Sequence, residues 1–191
     1  MSLDDDELLK RAAALRAEGR AFLDHHAVEQ RLAQAGSVEL VGSFVTGLMV
    51  WRDLDVCVDA HDLARSAAWE LVRPLVHAAN RVRYEHFDEP DDRRHYFVLG
   101  VDGWKLDLSL FTDGIPPEVD DFQRELLGRL DDDLRMAILR LKELWHSRPE
   151  YPELVGGYEI CCAALAGART PQELDAYLEE HGVLRERSRT G

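Results

Sequence analysis

Between residues 53 and 58 the chain reads Asp-Leu-Asp-Val-Cys-Val, a strict alternation of polar and apolar that fits a strand and fits no helix face. A period of two puts Asp53, Asp55 and Cys57 on one face and Leu54, Val56 and Val58 on the other. The alternation returns in Trp104-Lys105-Leu106-Asp107-Leu108-Ser109-Leu110, whose apolar residues face a core while Lys105, Asp107 and Ser109 face away. Two carboxylates about 4 Å apart repel by ~1 kcal/mol in water and ~4 kcal/mol at an effective dielectric near 20. Carboxylates crowded on one face therefore need a cation, or raised pKa values, to offset that cost. Asp53 and Asp55 share such a face and are candidate metal ligands.

Just upstream, Val38, Leu40 and Val41 form a short apolar run that stops at Gly42-Ser43. Without a Cβ at Gly42 the backbone can turn tightly and leave N–H groups outward, where a phosphate can sit. Gly42 to Gly47 has the glycine spacing of a Walker A loop, but Leu48 and Met49 stand where lysine and a hydroxyl residue are required. No G-x-G-x-x-G dinucleotide fingerprint is present either.

Apolar-Gly-Ser, a gap, Asp-apolar-Asp-apolar, and then a third acid on a later strand resembles the nucleotidyltransferase superfamily that includes polymerase β and the aminoglycoside and lincosamide nucleotidyltransferases. The resemblance covers about Val38 to Phe111. It implies an α/β (α+β) fold, a nucleotidyltransferase-like mixed β-sheet with flanking helices and a helical C-terminal part. It further implies that Gly42 and Ser43 hold a nucleoside triphosphate and that Asp53 and Asp55 bind Mg2+ or Mn2+. Asp107 would complete the metal site or act as general base. The implied activity moves a nucleoside monophosphate, expected to be AMP from ATP, to a hydroxyl of a small molecule such as an aminoglycoside-like or lincosamide-like compound. Two alternatives stay open, a protein-AMPylating enzyme of the antitoxin type with a stable protein partner, and a non-catalytic nucleotide-binding module. The presence of all three acids favours an enzyme over the module.

A formal net charge of −14 over 191 residues disfavours a broad nucleic-acid surface and favours a cationic acceptor. The three cysteines, Cys57, Cys161 and Cys162, form no disulfide framework and read as buried thiols of a reducing cytoplasm. The eight histidines make no H-E-x-x-H, so zinc has no support. The acidic start lacks a basic n-region, and no run approaches the ~18 apolar residues of a membrane span, so the expected location is cytoplasmic.

The expected organisation is a catalytic unit with N-terminal helices over 1–115, a helical part over 116–184 and a frayed tail over 185–191. An amphipathic helix over about Asp4 to Ala35 is predicted to bend or break at Gly19, and Asp62 to cap a helix running to about Ala79. Arg81 to Phe87 reads as a strand, Glu89 to Asp92 as a loop, and Asp102-Gly103 as the turn of a hairpin that delivers Asp107. Helices are expected over about Glu118 to Trp145, interrupted at Gly128 or restarted at Asp131, then Leu154 to Ala166 and Pro171 to His181. Thr170-Pro-Gln-Glu173 is a capping box for the last of these. Leu130, Leu134, Ile138, Leu141 and Trp145 repeat at helical spacing and are read as core. Arg52, Lys105, Arg140 and Lys142 are read as solvated charges and stay outside the site.

Overall fold

The computed structural model describes residues 4–149, 151 and 154–183, so the tail expected over 185–191 lies outside the described residues. Five strands form one mixed sheet in the order β1-β2-β5-β4-β3: β1 (Ser37–Val41), β2 (Asp53–Asp59), β3 (Arg81–Glu89), β4 (Asp92–Val101) and β5 (Trp104–Phe111). The central pair β2 and β5 is parallel, and every other pair is antiparallel. Parallel pairing of β2 with β5 fixes the register that matters most, since it sets Asp55 beside Asp107 and Asp53 beside Lys105.

Alternation then sorts the two faces. Leu54, Val56, Val58, Leu106, Leu108 and Leu110 are buried on the apolar side. Three helices cover that side: α1 (Asp5–His25) through Phe22 and Leu23, α2 (Val28–Leu32) through Val28 and Leu32, and α4 (Arg65–Ala78) through Ala68, Val72 and Leu75. The opposite, acidic face opens toward α3 (Gly42–Thr46) and the later helices α5 (Pro117–Arg129), α6 (Asp132–Trp145) and α7 (Gly157–Leu165), with α8 (Pro171–Glu180) packed behind α6 and α7. A second apolar cluster joins the two ends of the chain, because Ala12 of α1 and Leu48 and Val50 after α3 pack with Leu126, Leu134, Ile138 and Leu139. Among the described residues no helix is long and apolar enough to cross a membrane.

The expected mixed sheet with flanking helices is observed, and several local expectations are corrected. Gly19 does not break α1, which runs unbroken to His25. A Cβ there would lie 3.3 Å from Leu54 Cδ2 and from the Phe44 ring, so the glycine lets α1 approach β2 and α3. The break comes instead at Ala27, which has a left-handed φ of 49°. Asp62 caps nothing: at φ 55° it sits in a turn with its N–H donated to Thr112 O, and α4 starts from Ala64. The loop expected over Glu89 to Asp92 shrinks to a tight turn, since Glu89 already pairs with Asp92. Asp131 does restart the helix, its side chain accepting from the Leu134 N–H at 2.8 Å. Asp102 and Gly103 form the expected hairpin turn, both at positive φ.

Candidate active site

Asp53, Asp55 and Asp107 come together on the acidic face of the central strand pair, each offering a carboxylate oxygen within 4.8 Å of the other two. They line a cleft of about 710 Å³, with Gly42 and Ser43 at one side and Tyr96, Gln123 and Tyr158 among its other walls. That size is typical of a small-molecule or nucleotide site.

The acids are crowded and poorly solvated. Burial raises the Asp55 pKa most, and the neighbouring Asp53 and Asp107 add to it, pushing it to about 8. Burial also raises Asp53, to about 6, although the Lys105 ammonium pulls against it. Lys105 reaches into the cluster, its Nζ 2.8 Å from Asp107 Oδ2 and 3.3 Å from Asp53 Oδ1. Burial works against that ammonium, but the carboxylates of Asp53 and Asp107 outweigh it and hold its pKa above the ordinary lysine value. Tyr96 donates its hydroxyl to the same Asp107 Oδ2 at 2.8 Å. Burial, then the Asp107 charge, raises the Tyr96 phenol above its ordinary range, so it stays a donor.

Whether the cluster fits a metal ion turns on which oxygens are already used. Asp107 Oδ1 is buried with no hydrogen-bond partner, and Asp53 Oδ1 has only the Lys105 ion pair, without hydrogen-bond geometry. Buried oxygens left unsatisfied are costly, and three hard carboxylates at this spacing suit a divalent cation of the Mg2+ or Mn2+ kind. The donor set fits such an ion.

The Gly-Ser turn touches the acids directly. Gly42 adopts φ +69°, and a Cβ built on it would lie 2.6 Å from Asp55 Oδ2. Gly42→Ala is expected to cost more than ~1 kcal/mol from the left-handed backbone alone and to displace Asp55. Urea denaturation combined with Mn2+ titration should show stability and ion affinity falling together. The Gly42 N–H does not point freely outward as the sequence suggested, because it donates to Gln123 Oε1 of α5 at 3.1 Å. Ser43 Oγ is held by Lys142 Nζ, which also donates to Leu48 O at 3.0 Å.

Two of the four basic residues set aside as solvated are therefore part of the site. Lys105 was legible, since the period of two that places Asp107 on the acidic face places Lys105 there as well. Lys142 is 2% exposed on the α6 stripe, four residues after Ile138 and three before Trp145, so its position in an apolar stripe was the available signal. Arg52 and Arg140 do lie at the surface, paired with Glu18 and Asp5. Tyr96 and Gln123 carried no sequence signal. Cys57 shares the acidic face, but burial, then the Asp55 charge, pushes its thiol to about 12, which leaves it inert as a nucleophile.

No protein-family model and no curated protein sequence matches the chain. Solved structures do. The chain is similar to a cytoplasmic RNA terminal U-transferase (TM-score 0.52, 18% identity, 83% of this chain and 51% of that one). It is also similar to the Cid1 poly(U) polymerase with magnesium and 3′-dATP bound (TM-score 0.56, 17% identity, 84% and 49%). A third similarity is to the polymerase core of the TRAMP RNA surveillance complex (TM-score 0.51, 21% identity, 89% and 58%). These likenesses show that the chain has the polymerase β-like nucleotidyltransferase fold. It spans about half the length of these solved structures.

Proposed function

We propose that the protein is a metal-dependent nucleotidyltransferase that moves a nucleoside monophosphate, with ATP as donor, to a hydroxyl of a small cationic molecule. The observation that carries the reaction class is the convergence of Asp53, Asp55 and Asp107, two of them with unsatisfied buried oxygens, beside a Gly-Ser turn backed by the buried Lys142. Asp53 and Asp55 would hold Mg2+ or Mn2+, which would supply charge neutralisation on the reacting phosphates, with Asp107 beside Asp55.

The chain's own residues supply the rest. Ser43, the Gly42 backbone and Lys142 bind and orient the triphosphate next to Asp55. Gln123 must release the Gly42 N–H for that contact. Lys105 and Tyr96 both donate to Asp107 Oδ2, which leaves Oδ1 as the atom that accepts the proton of the attacking hydroxyl. The acceptor oxygen forms a bond to the α-phosphorus, the bond from that phosphorus to the bridging oxygen breaks, and pyrophosphate leaves with the electron pair.

A cationic acceptor is supported by the acids that continue along the same face. Glu39 of β1 faces Asp120 of α5 with Asp59 nearby, and burial, then the Asp120 and Asp59 charges, raises its carboxyl pKa. Such a group of like charges is relieved by a bound amine. The net charge of −14 points the same way. A cytoplasmic location, where ATP is supplied and the three cysteines stay reduced, belongs to the same reading.

A second reading is favoured by the structural neighbours, which are RNA terminal transferases by name: the acceptor would be an RNA 3′-hydroxyl. Incubation with ATP and magnesium, offering aminoglycosides, lincosamides, short RNA and protein acceptors in parallel, separates the two by mass spectrometry. A mass gain of one nucleoside monophosphate on an amine-bearing small molecule is expected. Transfer to RNA alone would replace the first reading by the second, and transfer to a protein alone would move the assignment to a protein-AMPylating enzyme.

A further inference from the structure

We infer that Lys105 is a built-in cation of the acidic cluster, fixed between Asp53 and Asp107, so that this site takes one divalent ion where three open carboxylates would take two. The inference rests on the reading of the triad as an ion site, and concerns how many ions it admits.

Backbone register is what places the ammonium between the two acids. The parallel pairing of β2 with β5 sets Lys105 directly beside Asp53, while its own strand carries Asp107 two residues on, so one side chain spans both acids. Nζ is 2.8 Å from Asp107 Oδ2 and 3.3 Å from Asp53 Oδ1. It also lies 5.6 Å from the centroid of the Trp51 ring, whose electron-rich face favours a cation there. Tyr96 donates to the same Asp107 oxygen, so Oδ2 is committed to protein donors on two sides.

A second ion would have to displace Nζ from an oxygen it contacts at hydrogen-bond distance. In a two-metal site the second ion sits near the attacking hydroxyl and neutralises charge there. Lys105 occupies that role beside Asp107, which leaves Asp107 Oδ1 free as the base.

The test counts ions rather than turnover. Mn2+ bound per chain is measured by equilibrium dialysis and electron paramagnetic resonance, in the presence of α,β-methylene-ATP. The wild type is expected to bind one Mn2+ with an uncoupled six-line spectrum. Lys105→Met is expected to bind two, with the exchange coupling of ions about 3.5–4 Å apart, and Lys105→Arg to return the count to one. Two coupled ions in the wild type overturn the inference whatever the variants do, as does a count that stays at one in Lys105→Met. No bound Mn2+ in the wild type would remove the proposed function and this inference together, an outcome distinct from a count of two.

Discussion

Asp55→Asn is expected to abolish magnesium-dependent ATP binding and to slow nucleotide transfer by a factor on the order of 10³ or more, since several kcal/mol of charge stabilisation depend on the ion. Asp55 neighbours Asp53 on its own strand and Asp107 on the paired strand and lies against the Gly-Ser turn, so it contributes to both the ion and the triphosphate sides of the cleft. The amide keeps the shape and removes one charge. Calorimetry with and without magnesium isolates the effect, and equal magnesium-dependent affinity in wild type and variant would count against the site.

The same substitution should stabilise the metal-free fold, with a sign fixed by linkage. The Asp55 pKa is raised to about 8 in the folded chain, against ~3.9 for an ordinary aspartate. Between those values the folded state binds a proton that the unfolded state has lost, so stability falls as pH rises through the window and stays low above it. Asp53, raised to about 6, acts in the same direction over the lower part of the window. Asp55→Asn should therefore melt several degrees above wild type at pH 8 and above, where ~1 kcal/mol corresponds to about 2–4 °C for a chain of this size. The gain should vanish near pH 4. Thermal melts across this range without metal check it, and a gain that grew toward low pH would contradict the assignment.

The triad was legible because the two central strands have unlike faces, and a register slip would have driven Leu54 and Leu106 out of the core and the acids into it. Asp102-Gly103 and Asp131 were legible for a different reason, since turn and cap chemistry are local. Gly19 and Asp62 misled because tertiary contacts decided them. The glycine serves a close approach of α1 to Leu54 and Phe44, and Asp62 takes a left-handed turn held by Thr112 O. Tyr96 and Gln123 reach the site from β4 and α5, at separations no local pattern encodes. The two lysines fall between these cases. Their faces followed from periodicity, but a lysine is so often a solvated charge that position in an apolar or acidic stripe had to outweigh residue type.

Lys142→Met should weaken ATP binding by about 10–100-fold, the equivalent of the ~1.5–3 kcal/mol of hydrogen bonding to a charged group, while leaving the magnesium dependence that Asp55→Asn removes. An ammonium taken from water loses several kcal/mol of hydration, and Lys142, 2% exposed, donates hydrogen bonds to two neutral oxygens, Ser43 Oγ and Leu48 O, while the Asp53 and Asp55 carboxylates feel its charge from farther off. Such a position is poor for stability, and a methionine of similar length should hold or raise the melting temperature. What it suits is a polyanion, because a triphosphate at the Gly42-Ser43 turn would meet a cation already held in place. Gly157 shapes the same spot from α7, where a Cβ would come within 3.2 Å of Nζ. Ser43→Ala should cost less than Lys142→Met, since one neutral hydroxyl is removed while the ammonium and the backbone donors remain. Calorimetry of ATP binding paired with thermal melts separates function from scaffolding. A lowered melting temperature with unchanged ATP affinity would make Lys142 a strut joining α6 to the turn, and the triphosphate would have to be held by other groups.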